Sequence, residues 1–279
     1  MKITVLAENT TISEKYKSEH GLSFYIETKN HKILFDVGAS SLFAENAKKM
    51  NIDLTKIDTV IISHGHYDHG GGLKTFLGLN STAKIYIRKS AFNDYFSEKP
   101  SGEKVYIGLD KEIILNPRFM FTETFMKIDD ELELYSGVEE REFFSKSNNA
   151  LFMKEDDKYV NDKFEHEQNL IITENENTAL FAGCAHNGII NIINKFVEIK
   201  WEEPKYVFGG LHLSNPRSKK IENEQLISEI GCKLSQYNSE YFTCHCTGEK
   251  PYFQLKQILK DRIHYVATGA VVEINSANE

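Results

Sequence analysis

The chain has 279 residues, 41% of them hydrophobic, which is enough to bury a sizeable core in one large domain and excludes a small structural module. Aspartate and glutamate outnumber lysine and arginine by 41 to 33, and the resulting formal charge of -8 works against nucleic-acid phosphates and anionic membranes as partners, leaving a small molecule. Four cysteines, Cys184, Cys232, Cys244 and Cys246, lie in a chain far too long to need a disulfide framework; with no signal-peptide core and no run of membrane-spanning length, reduced thiols and a cytoplasmic location are expected.

Residues 3–6, 22–28 and 32–37 read as strands, the last two joined in a hairpin over Lys29-Asn30-His31. Ser40 is placed to cap a helix that ends near Met50, and residues 57–62 form a continuous apolar, β-branched run typical of a strand buried on both faces. A short helix over 73–79 follows a glycine turn, and 83–88 returns as a strand. Between 89 and 162 the pattern weakens into aromatic and charged stretches, among them Asp129-Asp130-Glu131 and Glu139-Glu140-Arg141-Glu142. This region reads as extra strands plus a variable insertion or cap in an otherwise single domain over 1–279, with a solvated acidic face as the plainer explanation of the charge runs.

Strand and helix then alternate: paired strands over 170–173 and 178–182, a helix over 188–199, a strand over 206–208, a helix over 218–236, a strand over 241–243, a helix over 251–260 and a final strand over 264–274. In both halves a turn rich in glycine and histidine follows a strand. Such a strand end is where an α/β scaffold presents rigidly held ligands.

The densest chemistry is His64-Gly65-His66-Tyr67-Asp68-His69, four good ligands within six residues directly after the buried strand. Imidazole nitrogens suit zinc and other borderline divalent ions, and the carboxylate adds an anionic ligand. Gly65, Gly70, Gly71 and Gly72 allow tight turns and close approach of backbone amides. A polar surface turn with coincidental histidines accounts poorly for this density.

The run His64 to His69 resembles the His-x-His-x-Asp-His signature of the metallo-β-lactamase superfamily. The resemblance extends through Phe181-Ala182-Gly183-Cys184-Ala185-His186-Asn187-Gly188, Gly209-Gly210-Leu211-His212-Leu213 and Thr243-Cys244-His245-Cys246-Thr247-Gly248. Together these segments look like the branch of dihydropterin-ribofuranosylaminobenzene-phosphate synthase-like metal-dependent hydrolases. The resemblance implies an α/β fold, a four-layer αββα sandwich, with two divalent metal ions, zinc ahead of manganese or iron. It assigns His64 and His66 to the first ion and Asp68 and His69 to the second.

The later residues carry alternatives. His186 reads as a ligand held between a strand and a helix, ahead of a helix-capping or buried histidine, and His245 as a ligand just after its strand. Cys184 stands where the superfamily usually has an aspartate, or in some lactamases a cysteine; a metal ligand and a buried thiol are equal readings. The superfamily's third histidine usually lies in a Gly-His-Thr-Pro-type turn, which this sequence lacks. His166 is near that location but sits among Glu165, Glu167 and Gln168, which suggest a solvated turn, so His186 is preferred. Cys244 and Cys246 point away from His245 if the segment is extended, and His20, His31 and His264 lack neighbouring ligands.

A two-metal cage implies hydrolysis or a related transfer, with Asp68 holding the nucleophilic water and His212 steadying developing negative charge. Arg217, Lys219 and Lys220 form a local basic cluster, favouring an anionic, phosphate- or pterin-bearing substrate, although solvated lysines at a helix start explain the cluster almost as well. A lactone, thioester or β-lactam hydrolase is the second reading. A di-iron redox protein is the third, disfavoured by its need for a flavin partner domain and more carboxylate ligands.

Overall fold

Successive side chains leave a strand on opposite faces, so a strand that is apolar at every position needs a core on each side. Strand Lys32–Phe35 shows the arrangement: Ile33 and Phe35 enter one core while Leu34, between them, enters another. The computed structural model describes residues 1–215 and 220–275. In it two seven-stranded sheets pack face to face, each covered by helices on its outer face, so the expected four-layer αββα sandwich is present.

The N-terminal sheet runs in the spatial order Val271–Glu273, Lys2–Ala7, Ser23–Glu27, Lys32–Phe35, Thr59–Ile61, Lys84–Ile87, Phe119–Phe121. The C-terminal sheet runs Ile263–Tyr265, Glu240–Thr243, Tyr206–Gly209, Asn177–Phe181, Gln168–Glu174, Leu132–Ser136, Phe125–Lys127. Between them Phe24, Phe35, Phe181, Phe208 and Phe242 dominate the shared core. The rings of Phe181, Phe208 and Phe242 stack on adjacent parallel strands with centroids 4.7 and 4.6 Å apart. Such contacts contribute about 0.5–1.5 kcal/mol each beyond the area they bury.

The outer layers follow from helical spacing. Helix Ile189–Lys200 presents Ile189, Ile192, Ile193 and Phe196 at i, i+3, i+4 and i+7, one stripe that packs on Ile171, Leu180 and Val207 of the sheet. Helices Leu42–Lys49 and Leu73–Leu79 cover the other sheet through Phe43, Ala47, Leu73 and Phe76.

Three expectations need correction. The residue that caps Leu42–Lys49 is Ser41, while the Ser40 hydroxyl accepts from Leu42 N and donates to Glu19. The helix expected over 218–236 occupies Glu224–Leu234 and is capped by Asn223, whose side chain accepts from Leu226 N; Lys220–Ile221 instead pairs with Ser214–Asn215 as a short ribbon. The final strand over 264–274 is two strands, one at the edge of each sheet, because the chain crosses from sheet to sheet at Thr268 to Ala270. Region 89–162 supplies both extra strands and a separate unit. Phe119–Phe121, Phe125–Lys127 and Leu132–Ser136 extend the main sheets, while Tyr95–Glu98, Lys104–Tyr106, Leu151–Glu155 and Lys158–Asn161 form a separate four-stranded sheet.

Candidate metal centre

Six segments that leave strand ends converge at one rim of the sandwich. Strand Thr59–Ile61 leads into Ser63 and the His64 to His69 run, of which Tyr67–Gly70 forms a single helical turn. Strands Asn177–Phe181, Tyr206–Gly209 and Glu240–Thr243 deliver Cys184 and His186, His212, and His245 and Cys246. Strands Lys2–Ala7 and Lys32–Phe35 deliver Glu8 and Asp36 from beneath. Asp36, Ala185, His212 and His245 all have positive φ, between 49° and 59°, a backbone that L residues adopt only when the surroundings enforce it.

Glycine makes the close approach possible. A Cβ on Gly65 would lie 2.4 Å from Ala91 O, and one on Gly183 would lie 2.2 Å from Ser63 Oγ and 3.1 Å from His64 Nδ1. The turn containing Cys184 can therefore press against the histidine motif only because residue 183 has no side chain.

The convergence encloses a cavity of about 60 Å3, lined by His20, His66, Asp68, Cys184, His186, His212, His245 and Cys246 among others. Donor atoms of His64, His66 and His186 lie within 4.8 Å of one another, and so do those of His20, Asp68 and His245, of Cys184, His245 and Cys246, and of His64, His69 and Cys184. His69 Nε2 is 3.2 Å from Cys184 Sγ, and His245 Nε2 is 3.2 Å from Asp68 Oδ2. At this site five imidazole nitrogens are buried without a hydrogen-bond partner, Nε2 of His64, His66 and His186 and both ring nitrogens of His212, and His245 Nε2 meets only Asp68 Oδ2. Buried polar atoms are nearly always satisfied, and these imidazoles, each able to present one lone pair to the same small space, fit divalent cations. Nitrogen, one carboxylate and neighbouring sulfur make a borderline-to-soft donor set, suited to zinc and other late transition metals.

Four of the rings are aimed by their other nitrogen. His69 Nδ1 is 2.6 Å from Asp36 Oδ2, His64 Nδ1 is 2.9 Å from Ser63 Oγ, His186 Nδ1 is 3.0 Å from Asn148 Oδ1 and His245 Nδ1 is 2.9 Å from Asn9 Oδ1. Glu8 Oε1 accepts from His245 N, and Glu167 accepts from the backbone amides of His186 and Asn187, so carboxylates also pin the ligand-bearing backbone. Partners of this kind fix tautomer and orientation.

The electrostatics favour ligand-ready states. Burial, reinforced by the crowd of other imidazoles, pushes His64 and His186 well below the ordinary histidine range, so both are neutral. Burial alone would raise Asp68, but His69, His20 and His245 outweigh it and hold the carboxyl well below its usual range. Burial likewise drives the Cys184 thiol up, whereas Cys246 is drawn down against burial by its contacts with Cys184 and His212.

The structure brings His64, His66, Asp68, His69, Cys184, His186, His212 and His245 together; Arg217 and Lys219 lie outside the described residues. His166 is buried rather than solvated. Its Nδ1 accepts from Gly65 N at 2.9 Å and its Nε2 meets Asp162 Oδ2 at 3.0 Å, so neither nitrogen is free for a metal. His20, expected to lack ligand neighbours, lies with Nε2 3.1 Å from Asp68 Oδ2 and its ring stacked on His245. Cys246, expected to point away, joins the cavity because residues 245–247 coil into a 3-10 turn instead of extending.

The description "Metallo-beta-lactamase superfamily" matches residues 18–136. Two proteins of Methanocaldococcus jannaschii align over nearly the whole chain. One is 7,8-dihydropterin-6-methyl-4-(beta-D-ribofuranosyl)-aminobenzene-5'-phosphate synthase, 28% identical with 98% of this chain and 96% of that protein covered. The other is an uncharacterized protein, 32% identical with 98% and 100% covered. Among solved structures, a metal-dependent hydrolase of the beta-lactamase superfamily superposes with a TM-score of 0.83 at 30% identity, covering 99% of this chain and 100% of that one. The short form of human tRNase Z shares the fold, with a TM-score of 0.56 at 11% identity and 99% and 100% coverage.

Proposed function

Because the chain belongs to the metallo-β-lactamase superfamily, we propose that it is a dinuclear zinc hydrolase of a phosphoester in a small anionic molecule. The reading rests on the unpartnered imidazole nitrogens of His64, His66, His186 and His212, gathered at one cavity beside Asp68. His64, His66 and His186 would hold one cation, and Asp68, His69 and His245, with Cys184, the other. When bound, the cations supply Lewis acidity toward an ester oxygen and a nucleophile at neutral pH.

The chain's own groups do the rest. Asp68, anionic and steered by His20, accepts the proton of the attacking water; His212, at the cavity wall beside Cys246, donates to the oxygen that gains negative charge. The phosphate in the name of the M. jannaschii synthase favours a phosphoester over a lactone or thioester, and the same name favours group transfer as the second reading. Four free thiols support a reducing, cytoplasmic setting, and no helix among the described residues is long and apolar enough to cross a membrane. A panel of p-nitrophenyl phosphodiester, lactone and thioester substrates tests the reading on zinc-loaded protein. Chelator-sensitive turnover of the phosphodiester is expected; turnover of the lactone or thioester alone would overturn it.

A further inference from the structure

A second and larger cleft, about 440 Å3, adjoins the metal cavity on the side of the small sheet. The two spaces share Asn215 as a lining residue. They also meet where chain neighbours divide between them: Ser97 and Leu151 line the cavity, Glu98 and Ala150 the cleft. A ligand whose reacting group lies beside Asp68 can therefore extend past Asn215 without leaving the protein surface.

The cleft differs in charge from the rest of the molecule. Lys99, Lys146 and Lys220 line it on a chain whose formal charge is -8. Glu98, its lining carboxylate, pairs with Lys104 at 2.9 Å, and Lys99 pairs with the neighbouring Glu103 at 2.9 Å, so the positive charge of the cleft is centred on the side of Lys146. Beneath it, buried Glu222 accepts from Ser145 Oγ at 2.8 Å and Ser147 N at 2.9 Å, which fixes the 3-10 turn Lys146–Ala150. That turn holds the Lys146 backbone rigidly at the cleft wall. One exposed lysine contributes little to binding, but several ammonium groups around one concave space add at a dianion.

We propose that this cleft seats an anionic group of the substrate remote from the bond that is broken, a phosphate or comparable dianion, with Lys146 as its principal contact. The inference rests on the hydrolase reading above and narrows its substrate class to molecules carrying a second anionic group.

Two measurements separate the proposal from that reading. In the first, inorganic pyrophosphate is titrated calorimetrically into metal-stripped protein, with Lys146→Ala and Lys146→Glu compared with the unsubstituted chain. Binding should weaken several-fold in the alanine variant and about tenfold or more in the glutamate variant. Pyrophosphate that fails to bind the unsubstituted chain, or binds all three alike, overturns the cleft. In the second, zinc-loaded protein hydrolyses thymidine 5'-(p-nitrophenyl phosphate) with and without a 3'-phosphate. Lys146→Glu should lower the preference for the 3'-phosphorylated ester about tenfold, and an unchanged preference overturns the cleft. If neither ester is hydrolysed while pyrophosphate binding still depends on Lys146, the cleft stands and the phosphoester reading falls.

Discussion

Asp36 Oδ2 lies 2.6 Å from Nδ1 of His69, and the same carboxylate receives the Ser63 hydroxyl and backbone amide at 2.7 Å each. Through Ser63, which touches His64 Nδ1, one buried acid sets the orientation of two histidines. Asp36→Asn keeps the volume and loses the charge. Zinc affinity should fall on the order of 10–100-fold, as for other partners of ligating histidines, measured by competition with a chromophoric chelator. Undiminished affinity would remove Asp36 from the support of the site.

His186 and His166 should separate cleanly. His186→Ala deletes a nitrogen that has no other partner, and bound metal after dialysis should drop by about one ion per chain. His166→Ala should leave metal content nearly intact while lowering stability by about 1–3 kcal/mol, because Gly65 N and buried Asp162 lose their partner. Metal loss in the second variant equal to that in the first would contradict the assignment.

Asp68→Asn should reduce turnover on the order of 10²-fold or more, since the amide neither accepts a proton nor supplies an anionic ligand. Circular dichroism should show an unchanged fold. Turnover near that of the unsubstituted chain would exclude Asp68 as the proton acceptor.

Cobalt(II) distinguishes the thiols. A thiolate bound to cobalt gives an intense near-ultraviolet charge-transfer band, so Cys184→Ser should abolish that band if Cys184 is a ligand of the second ion. Cys246→Ser tests the alternative, in which the other sulfur of the pair binds instead. A cobalt-loaded protein lacking the band altogether would show that both cysteines stand off the metal.

His31 supplies a pH dependence far from the site. Its Nδ1 is 2.9 Å from Asp58 Oδ1 and its Nε2 2.8 Å from Asp129 Oδ2, tying the hairpin of one sheet to a turn of the other. Burial opposes the charge, but the two carboxylates prevail and raise the pKa above the usual histidine value. A folded-state pKa above the unfolded one stabilises at low pH and loses that effect as pH rises through the folded value. His31→Gln should therefore cost more thermal stability near pH 6 than at about pH 8.5. An equal loss at both would show that the imidazolium contributes nothing.

The parts of the site legible in the sequence were those that chemistry writes contiguously. His64 to His69 form one run, and His186, His212 and His245 each follow an apolar strand. Asp36, Glu8, Asn148 and Glu167 act through contacts that are distant along the chain, for example 237 residues between Glu8 and His245, and no local pattern marks them. The misreading of Cys246 has a different cause. Alternation assumes an extended backbone, and His245 at φ 53° breaks it. The split of the last strand was hidden similarly, because the residues on either side of the crossing are apolar in both sheets.

The donors fall into two sets. His64, His66, Asp68 and His69 come from the N-terminal sheet, whereas Cys184, His186, His212 and His245 come from the C-terminal sheet. Neither half holds a complete cage, so a cation there would act as a rivet across the sandwich, and its affinity would carry the free energy of docking one half on the other. Free metal at about a thousand times its dissociation constant would then add about 4 kcal/mol to unfolding, and a chelator would loosen the seam between the sheets before it loosened either sheet.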